Sequence, residues 1–317
     1  MLVGRALLLA VLIFPGTAFA QTKPIQLIVP FAPGASSDGI ARAIAPELST
    51  RMGRTVVIEN KAGAGGSLGL IAVSKAPPDG DTLTLAATGA LVISPHTPTP
   101  PPLDPLRDVV AVAKLIEIPL VLVSNPRIGP KSVTELIERS KASSSGVSYG
   151  TTGVNSGQHL SMELFKKATG ANLVHVPYRG SAPAVTDLLG GQIPVACVDI
   201  TSAFPHIQAG NLIALGLMDL KRTPLAPDIP TVAEAGVPGF GREGGFMGVF
   251  APPGTPAAVV KRLSREIGEV LRLPDVQAKV RLLTVQVSYQ DDVEFAKFLA
   301  TESAKWKQAL QAVGLTN

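Results

Sequence analysis

Residues 25–52 read IQLIVPFAPGASSDGIARAIAPELSTRM, and three patterns follow one another in that stretch. Ile25 to Val29 is a short apolar run of the kind buried on both faces of a sheet, whereas Ile40, Ile44, Leu48 and Met52 recur every four residues, as the apolar stripe of a helix does. Pro46 falls inside that helix and is expected to bend it. Between strand and helix lies Phe31-Ala32-Pro33-Gly34-Ala35-Ser36-Ser37-Asp38-Gly39, a loop of mostly small residues at the mouth of the strand. A helix start leaves backbone N–H groups without intrahelical partners and carries partial positive charge, so an anion can be held there with no basic side chain. Gly34, Ala35 and Ser36 are small enough to let an anion reach the backbone. From this loop alone, an ordinary turn in which Ser37 or Asp38 only caps the helix stays open.

Outward from this stretch the alternation persists. Thr55 to Ile58 is the next strand, a glycine-rich turn follows, and Leu68 to Lys75 has the pattern of a short helix. The turn Pro77-Pro78-Asp79-Gly80 then leads into a strand at Leu83 to Ala87. A β-α-β-α-β order is the signature of a parallel sheet. Thr97-Pro98-Thr99-Pro100-Pro101-Pro102 can join neither sheet nor helix and reads as a stiff spacer on the surface. A second set starts with Leu120 to Val123, after which Ser132-x-x-Glu135 is a capping box that opens a helix. Val147 to Tyr149 is a strand, Leu160, Leu164 and Phe165 line a helix, and Leu173 to Val176 is again a strand. A helix through Val185 and Leu188 and strands at Ile193 to Val198 and Ile213 to Leu217 complete the set.

After a strand at Met247 to Phe250 the chain turns helical. Thr255 is the expected N-cap, with Pro256 in the first turn, of a long amphipathic helix marked by Val259, Leu263, Ile267 and Val270, and a last helix runs roughly from Asp292 to Val313. Too few strands accompany these helices for a third sheet, so they are expected to wrap back onto the first lobe. The fold class is therefore α/β, with two Rossmann-like lobes joined by a two-crossing hinge above a cleft. Residues 21–121 with 245–317 are expected to form the first lobe and 122–244 the second.

The beginning of the chain speaks to compartment. Arg5 precedes the unbroken apolar run Ala6 to Phe14, followed by Pro15-Gly16 and the small-residue end Ala18-Phe19-Ala20. That is the pattern of a signal peptide at residues 1–20, cleaved after Ala20, and its core is well short of the roughly 20 apolar residues that span a bilayer. The mature chain is expected to be periplasmic. With 28 Lys and Arg against 24 Asp and Glu, scattered rather than clustered, and few aromatic residues, no nucleic-acid groove is suggested. Cys197 is the only cysteine, so there is no intramolecular disulfide and no thiolate zinc site. Val195, Ala196 and Val198 around it read as a buried strand.

The second lobe supplies a counterpart to the first loop. Tyr149-Gly150-Thr151-Thr152-Gly153-Val154-Asn155-Ser156-Gly157-Gln158-His159 is again strand end, small polar loop and helix start, and two such loops can face each other across a cleft. His159 reads as a helix-face histidine satisfied by a neighbour sooner than as a base, since none of the four histidines has a metal-ligand spacing. Gly65-Gly66-Ser67-Leu68-Gly69 fits the G-x-S-x-G turn of α/β-hydrolases, which would make Ser67 the nucleophile of a secreted serine hydrolase. That turn needs its serine directly off a strand, whereas Asn60 to Ala64 intervene here. Gly63-x-Gly65-x-x-x-Gly69 is a relaxed dinucleotide fingerprint, but no acidic residue ends the strand Leu83 to Ala87, where a ribose would need one. No cofactor, metal or catalytic residue is expected.

Taken in order, KPIQLIVPFAPGASSDGIARAIAPELSTRMGRTVVIENKAGAGGSLGLIAVSKAPPDGDTL, GTTGVNSGQHLSMELF, HVPYRGSAPAVTDLLGGQIPVACVDI, PHIQAGNLIALGL, PDIPTVAEAG and VFAPPGTPAAVVKRL resemble the Bug proteins, the substrate-binding components of tripartite tricarboxylate transporters. The similarity covers essentially the mature chain. It implies a type II periplasmic-binding-protein architecture that traps a small organic carboxylate between its lobes, as a monomer, and delivers it to membrane permease subunits. A ligand sensor for a membrane signalling partner would use the same closed surface. The resemblance also implies ligand contacts in the first loop at Phe31, Pro33, Gly34, Ala35, Ser36, Ser37 and Asp38, and in the glycine turn at Gly63, Ala64, Gly65 and Gly66. The second lobe would add Thr151, Thr152, Gly153, Asn155, Ser156 and His159, then Tyr178, Arg179, Gly180 and Ala182, and the strand end Asp199. Backbone amides and ordered waters would grip one carboxylate. Departures from the family pattern are Ala35 where a second glycine is usual, which is expected to restrict positive φ, Asp79-Gly80-Asp81-Thr82, the run Pro98 to Pro102, and Gly244-Gly245-Phe246-Met247 where a tryptophan is common.

Overall fold

The computed structural model of the chain describes residues 23–241, 245–312 and 314–316. The expected leader, Gly244 and the expected last residue of the final helix, Val313, lie outside the described residues. In chain order the first elements are β1 (Ile25–Val29), α1 (Ser36–Met52), β2 (Val56–Asn60), α2 (Ser67–Ser74), β3 (Thr82–Ala87) and β4 (Val110–Ile118). Next come β5 (Leu120–Ser124), α3 (Val133–Ala142), β6 (Val147–Thr151), α4 (Gly157–Thr169), β7 (Leu173–Pro177), α5 (Ser181–Leu189), β8 (Val195–Asp199), α6 (Ile200–Gln208) and β9 (Ile213–Leu217). The chain ends with β10 (Gly245–Ala251), α7 (Ala257–Arg272), α8 (Pro274–Leu282), β11 (Gln286–Gln290) and α9 (Asp292–Ala312).

Two sheets result. The first has the order β11-β4-β10-β3-β1-β2 and the second β7-β6-β8-β5-β9. β1 pairs in parallel with β2 and β3, and β6 in parallel with β7 and β8, as the alternating pattern predicts. β10 and β5 run antiparallel to their neighbours, so both sheets are mixed. The chain leaves the first sheet at Ile118 and enters the second at Leu120, and returns between Leu217 and Gly245.

Burial on both faces explains why the central strands read as continuous apolar runs. In β10, Met247, Val249 and Ala251 pack with Ile40, Ile44, Leu48 of α1 and Leu263, Ile267 of α7, while Phe246 and Phe250 face Leu70 of α2 and Phe295, Leu299 and Trp306 of α9. The C-terminal helices thus cover the first sheet, as expected. Gly248 is where α9 comes closest: a Cβ there would lie 2.3 Å from the Phe295 ring. In the second lobe Leu122, Val195 and Cys197 face one core and Val121, Val123, Ala196 and Val198 the other. Cys197 is a buried free thiol whose desolvation raises its pKa, which makes it an unreactive packing residue.

Several boundaries differ from the sequence reading. β4 and β11 were not anticipated. Lys114 and Glu117 interrupt the apolar pattern of β4, but they pair with each other at 3.0 Å and the Lys114 ammonium lies 4.4 Å from the Phe298 ring centre, so the buried charge is compensated. At α7 it is Pro256, not Thr255, that occupies the capping position, and the Thr255 hydroxyl donates instead to the Pro252 carbonyl.

Candidate functional site

Strand order creates the site. In the first sheet β1 lies between β2 and β3, so the connections leaving it and returning to it go to opposite sides and a crevice opens beyond the strand ends. β6, between β7 and β8, does the same in the second sheet. The crevices face each other across a cavity of about 50 Å³. The first lobe lines it with Phe31, Ala35, Ser36, Gly65, Ala87, Thr88, Gly89 and Ile93; the second contributes Thr152, Ser156, Gly157, Gln158, Ser161, Ser181 and Asp199. The hinge-side wall is Ile118, Leu120, Met218, Asp219, Gly245, Phe246 and Met247, with Trp306 reaching in from α9.

The rim at α1 turns on Gly34, whose φ of 88° lies in the left-handed region that suits glycine. Ala35 follows as the capping residue with φ −81° and ψ 168°, ordinary extended backbone, so the alanine imposes no restriction: the positive φ is needed one residue earlier. Neither Ser37 nor Asp38 caps the helix; the Ser36 N–H is taken instead by the Asp199 carboxylate of the second lobe, at 3.4 Å. The Ser37 and Asp38 N–H groups make no hydrogen bond with any described residue, and the buried Ser37 hydroxyl has no partner among them either. Asp38 ties the loop together instead. Its carboxylate accepts from the Gly34 N–H at 3.2 Å, the Asn60 amide at 3.2 Å and Arg42 Nε at 2.9 Å. Burial pushes that carboxyl up, but Arg42, Gly34 and Asn60 together hold it below the usual carboxylate range.

The rim at α4 is built differently. Asn155 adopts φ 60°, and Ser156 caps α4, its hydroxyl accepting the His159 N–H at 3.1 Å. Gly157 and Gln158, the first two helical residues, line the cavity. His159 points away from the cavity wall: its Nδ1 accepts the Asn155 N–H at 3.2 Å, and its ring stacks on His175 with centroids 4.1 Å apart. His175 Nε2 in turn lies 2.6 Å from the Thr151 hydroxyl. Burial, and the second imidazole beside it, push His175 down to about 4. Burial likewise lowers His159, so the pair is neutral at neutral pH.

The lobes touch where the sequence placed glycines. A Cβ on Gly65 would lie 2.4 Å from the Val154 carbonyl oxygen, and one on Gly89 the same 2.4 Å from the Gly157 nitrogen. A Cβ on Gly180 would come within 3.3 Å of the Ala32 nitrogen. Ala32 N–H donates to the Arg179 carbonyl at 3.2 Å, the Asn155 amide donates to the Thr99 carbonyl at 3.2 Å, and Gly34 sits against Ala182. Asp199 joins both lobes: its carboxylate caps α6 by accepting the Ser202 N–H at 3.2 Å and accepts the Ser36 hydroxyl at 2.8 Å.

Of the residues expected at the site, Phe31, Ala35, Ser36, Gly65, Thr152, Ser156 and Asp199 therefore form the wall. Gly34, Gly153, Asn155, Arg179, Gly180 and Ala182 stand at the contact between lobes. Asp38, Thr151 and His159 brace the loops. Pro33 is exposed. Gly63, Ala64 and Gly66 shape the turn before α2, with φ 148°, 48° and 99°. Tyr178 donates its hydroxyl to Asp187 at 2.9 Å, away from the cavity wall.

The remaining wall was missed. Thr88 and Gly89 belong to a π turn after β3 that has no sequence signature. Trp306 lies sixty residues beyond the expected position of a tryptophan, on a helix recognised only by its periodicity; being the single tryptophan was its one visible signal. Asp219 follows β9 and accepts the Leu120 N–H at 3.2 Å, its sole hydrogen bond among the described residues. Burial pushes its carboxyl up to about 8, with Glu117 adding to the shift and the Leu120 N–H opposing it.

Ser67 is the first residue of α2, buried, and stands well beyond Asn60, where β2 ends, so it does not sit on a strand-to-helix elbow. Among the described residues no three His, Cys, Asp or Glu side chains gather as a metal site, and no helix is long and apolar enough to cross a membrane.

Residues 40–315 match the family described as tripartite tricarboxylate transporter family receptor. The chain is 36% identical over 293 residues to the protein BugT of Bordetella pertussis, an alignment that covers 92% of this chain and 90% of BugT. Its fold superimposes on the periplasmic binding protein BugD with a TM-score of 0.86 and 31% identity, over 92% of this chain and 98% of BugD. MatC from Rhodopseudomonas palustris, solved with bound malate, gives a TM-score of 0.85 and 30% identity over 90% of this chain and 98% of MatC.

Proposed function

The chain belongs to the tripartite tricarboxylate transporter receptor family, a family of periplasmic substrate receptors and not of enzymes, and on that premise we propose that it captures a small organic carboxylate between its lobes. One observation carries this reading: the N-termini of α1 and α4 open on the same cavity, whose wall holds no lysine, arginine or histidine among the described residues. The carboxylate is held by backbone N–H groups at two helix starts, of which Ser37 and Asp38 in α1 are still without partners. The malate bound by MatC is a ligand of this chemical class.

Capture works by closure. The lobes, taken as residues 21–121 with 245–317 and residues 122–244, swing about the two crossings and meet through Gly65, Gly89 and Asp199, so that contacts from both sides enclose the ligand. The closed monomer is then presented to membrane permease subunits, after export and removal of the leader behind Ala20. Titration calorimetry and thermal melting with mono-, di- and tricarboxylates test the capture step. A ligand-dependent rise in Tm with at least one of them is the expected result, and no heat and no shift across the panel defeats it. Loss of uptake on deletion of permease genes tests the delivery step separately.

A further inference from the structure

The first turn of α6 does more than line the cavity. Asp199 ends β8 and stands at the start of α6, and only 5% of it is exposed. Its backbone is fixed within the second lobe, where its N–H donates to the Ser181 hydroxyl at the start of α5 at 3.2 Å. One carboxylate oxygen, Oδ1, accepts the Ser202 N–H of α6 at 3.2 Å. The other, Oδ2, reaches the first lobe and accepts both the Ser36 hydroxyl at 2.8 Å and the Ser36 N–H at 3.4 Å. Two residues on, the Thr201 hydroxyl donates to the Leu283 carbonyl, also across the cleft. Leu283 follows the last turn of α8 and leans on α1, since a Cβ on Gly39 would lie 2.7 Å from its Cδ2. Both contacts therefore end at the first turn of α1.

This arrangement answers an electrostatic problem that closure itself creates. The N-termini of α1 and α6 come together, and each carries about half a positive charge. Two such ends repel, and their open N–H groups are all donors, with nothing to accept from one another. A single carboxylate between them accepts from both, and its charge offsets both ends in a buried setting where water screens little. The cavity wall brings no lysine, arginine or histidine to compete for it among the described residues. With the lobes apart, the same carboxylate keeps only the donors of its own lobe.

We propose that Asp199 is the positioning residue of closure: its carboxylate is shared by two facing helix N-termini and, with Thr201 as a second point, forms a clasp that holds the start of α1 over the cavity. The clasp acts on the lobes themselves, whichever guest they enclose.

The test traps the closed state and needs no ligand. A Cβ on Gly34 would lie 3.5 Å from the Ala182 Cβ, a separation that a disulfide spans, and the native Cys197 is buried. In the double variant Gly34→Cys with Ala182→Cys, the rate of crosslinking by oxidised glutathione, read by mass spectrometry after alkylation of free thiols, reports the closed population. The strain of a cysteine at φ 88° is common to every background and drops out of the ratio. Adding Asp199→Asn is expected to slow crosslinking about ten-fold at an unchanged Tm, because asparagine caps α6 as well as aspartate does but turns an uncharged amide toward Ser36. Adding Thr201→Val is expected to slow it about three-fold. Crosslinking as fast with Asp199→Asn as without it, or slowed only together with a fall in Tm, overturns the clasp and leaves Asp199 a cap of α6. Ala32→Cys with Gly180→Cys, whose Cβ atoms would stand 3.6 Å apart, repeats the measurement should the first pair fail to fold. Failure of both pairs to crosslink overturns the clasp as well. Carboxylate capture stands or falls separately, by calorimetry.

Discussion

The loop that opens α1 is held by a carboxylate, and the loop that opens α4 by a pair of neutral imidazoles. In the first, Asp38 reaches back to Gly34 from the third helical position and sideways to Asn60 and Arg42, and the one side chain that covers the helix end, Asp199 on the Ser36 N–H, comes from the other lobe. In the second, the Ser156 hydroxyl covers the His159 N–H, and the imidazoles of His159 and His175 hold Asn155 and Thr151 from below. Each rim therefore keeps two bare N–H groups, Ser37 and Asp38 at α1 and Gly157 and Gln158 at α4, and each gives one up to a side chain: Ser36 N–H to Asp199 of the other lobe, His159 N–H to the cap of its own helix. Both plans leave the cavity wall free of basic side chains. They should fail differently when disturbed.

The largest effect is expected where the rims meet. Gly89 has no positive φ, so alanine fits its own backbone, yet the added Cβ would stand 2.4 Å from the Gly157 nitrogen and 2.8 Å from the Ser156 carbonyl carbon across the cleft. Gly89→Ala should block closure without harming either lobe. Calorimetry is expected to show a loss of roughly 100-fold in affinity, about 3 kcal/mol, with the ligand-free Tm almost unchanged. An unchanged affinity would mean that binding does not require the rims to come together. Asp38→Ala comes next. It leaves the Gly34 N–H without its partner and removes one of the two hydrogen bonds of the Asn60 amide, which then holds the loop only through the Phe31 carbonyl at 3.0 Å, and about 1–2 kcal/mol of binding should go. The same change was expected from the sequence to act at the ligand; the structure moves the cause into the loop.

How much of this was legible before the fold was known depends on where each residue's information lies. Residues 25–52 announced strand, loop and helix because burial on both faces and a period of four are local patterns, and the observed α1 follows them to Met52. The pairing of two loops across a cleft was legible for the same reason. Gly89, Asp219 and Trp306 were not. Each reaches the cavity through strand order or through a C-terminal helix returning to the first lobe, and nothing within a few residues of them records that route. β4 was lost because Lys114 and Glu117 break its apolar run, and only the folded pair shows that they neutralise each other. Residues 150–159 resembled a binding loop along their whole length, but their division into wall, cap and brace is a matter of side-chain direction.

Acid should separate the rims. The folded-state pKa of His175 is pushed down to about 4 by burial and by His159, against about 6.5 for an unfolded histidine. Its contribution to stability is complete above about pH 6.5 and is lost progressively as pH falls from there toward 4. Glu163 and Lys166, also beside the pair, act in opposite senses on it. Asp38, held below its ordinary value, contributes fully above about pH 4 and loses its contribution only as pH falls through its lowered pKa. Between pH 6.5 and 4.5, then, the α4 rim should loosen first. Hydrogen exchange, corrected for its intrinsic pH dependence, should speed up in residues 151–159 and stay constant in 31–39. His175→Gln should flatten that response, with a stability change of about 1–2 kcal/mol, since the imidazole is only partly buried and solvent screens part of its charge. Equal loosening of both loops would show that the imidazoles do not hold the second one.

The smallest effect sharpens the contrast most. Ser156→Ala removes the cap that α4 carries on its own chain, and it should lower stability by about 1 kcal/mol, read as a small fall in Tm. Its effect on binding should have the opposite sign from that of Asp38→Ala. Without the hydroxyl, the His159 N–H joins Gly157 and Gln158 as an open donor at the start of α4, and the positive end of the helix is less satisfied by the protein itself. A carboxylate guest then has more to gain there, so affinity should hold or rise slightly while the fold weakens. If affinity falls along with Tm, the hydroxyl touches the ligand directly, and the α4 rim grips with a side chain where the α1 rim grips with backbone.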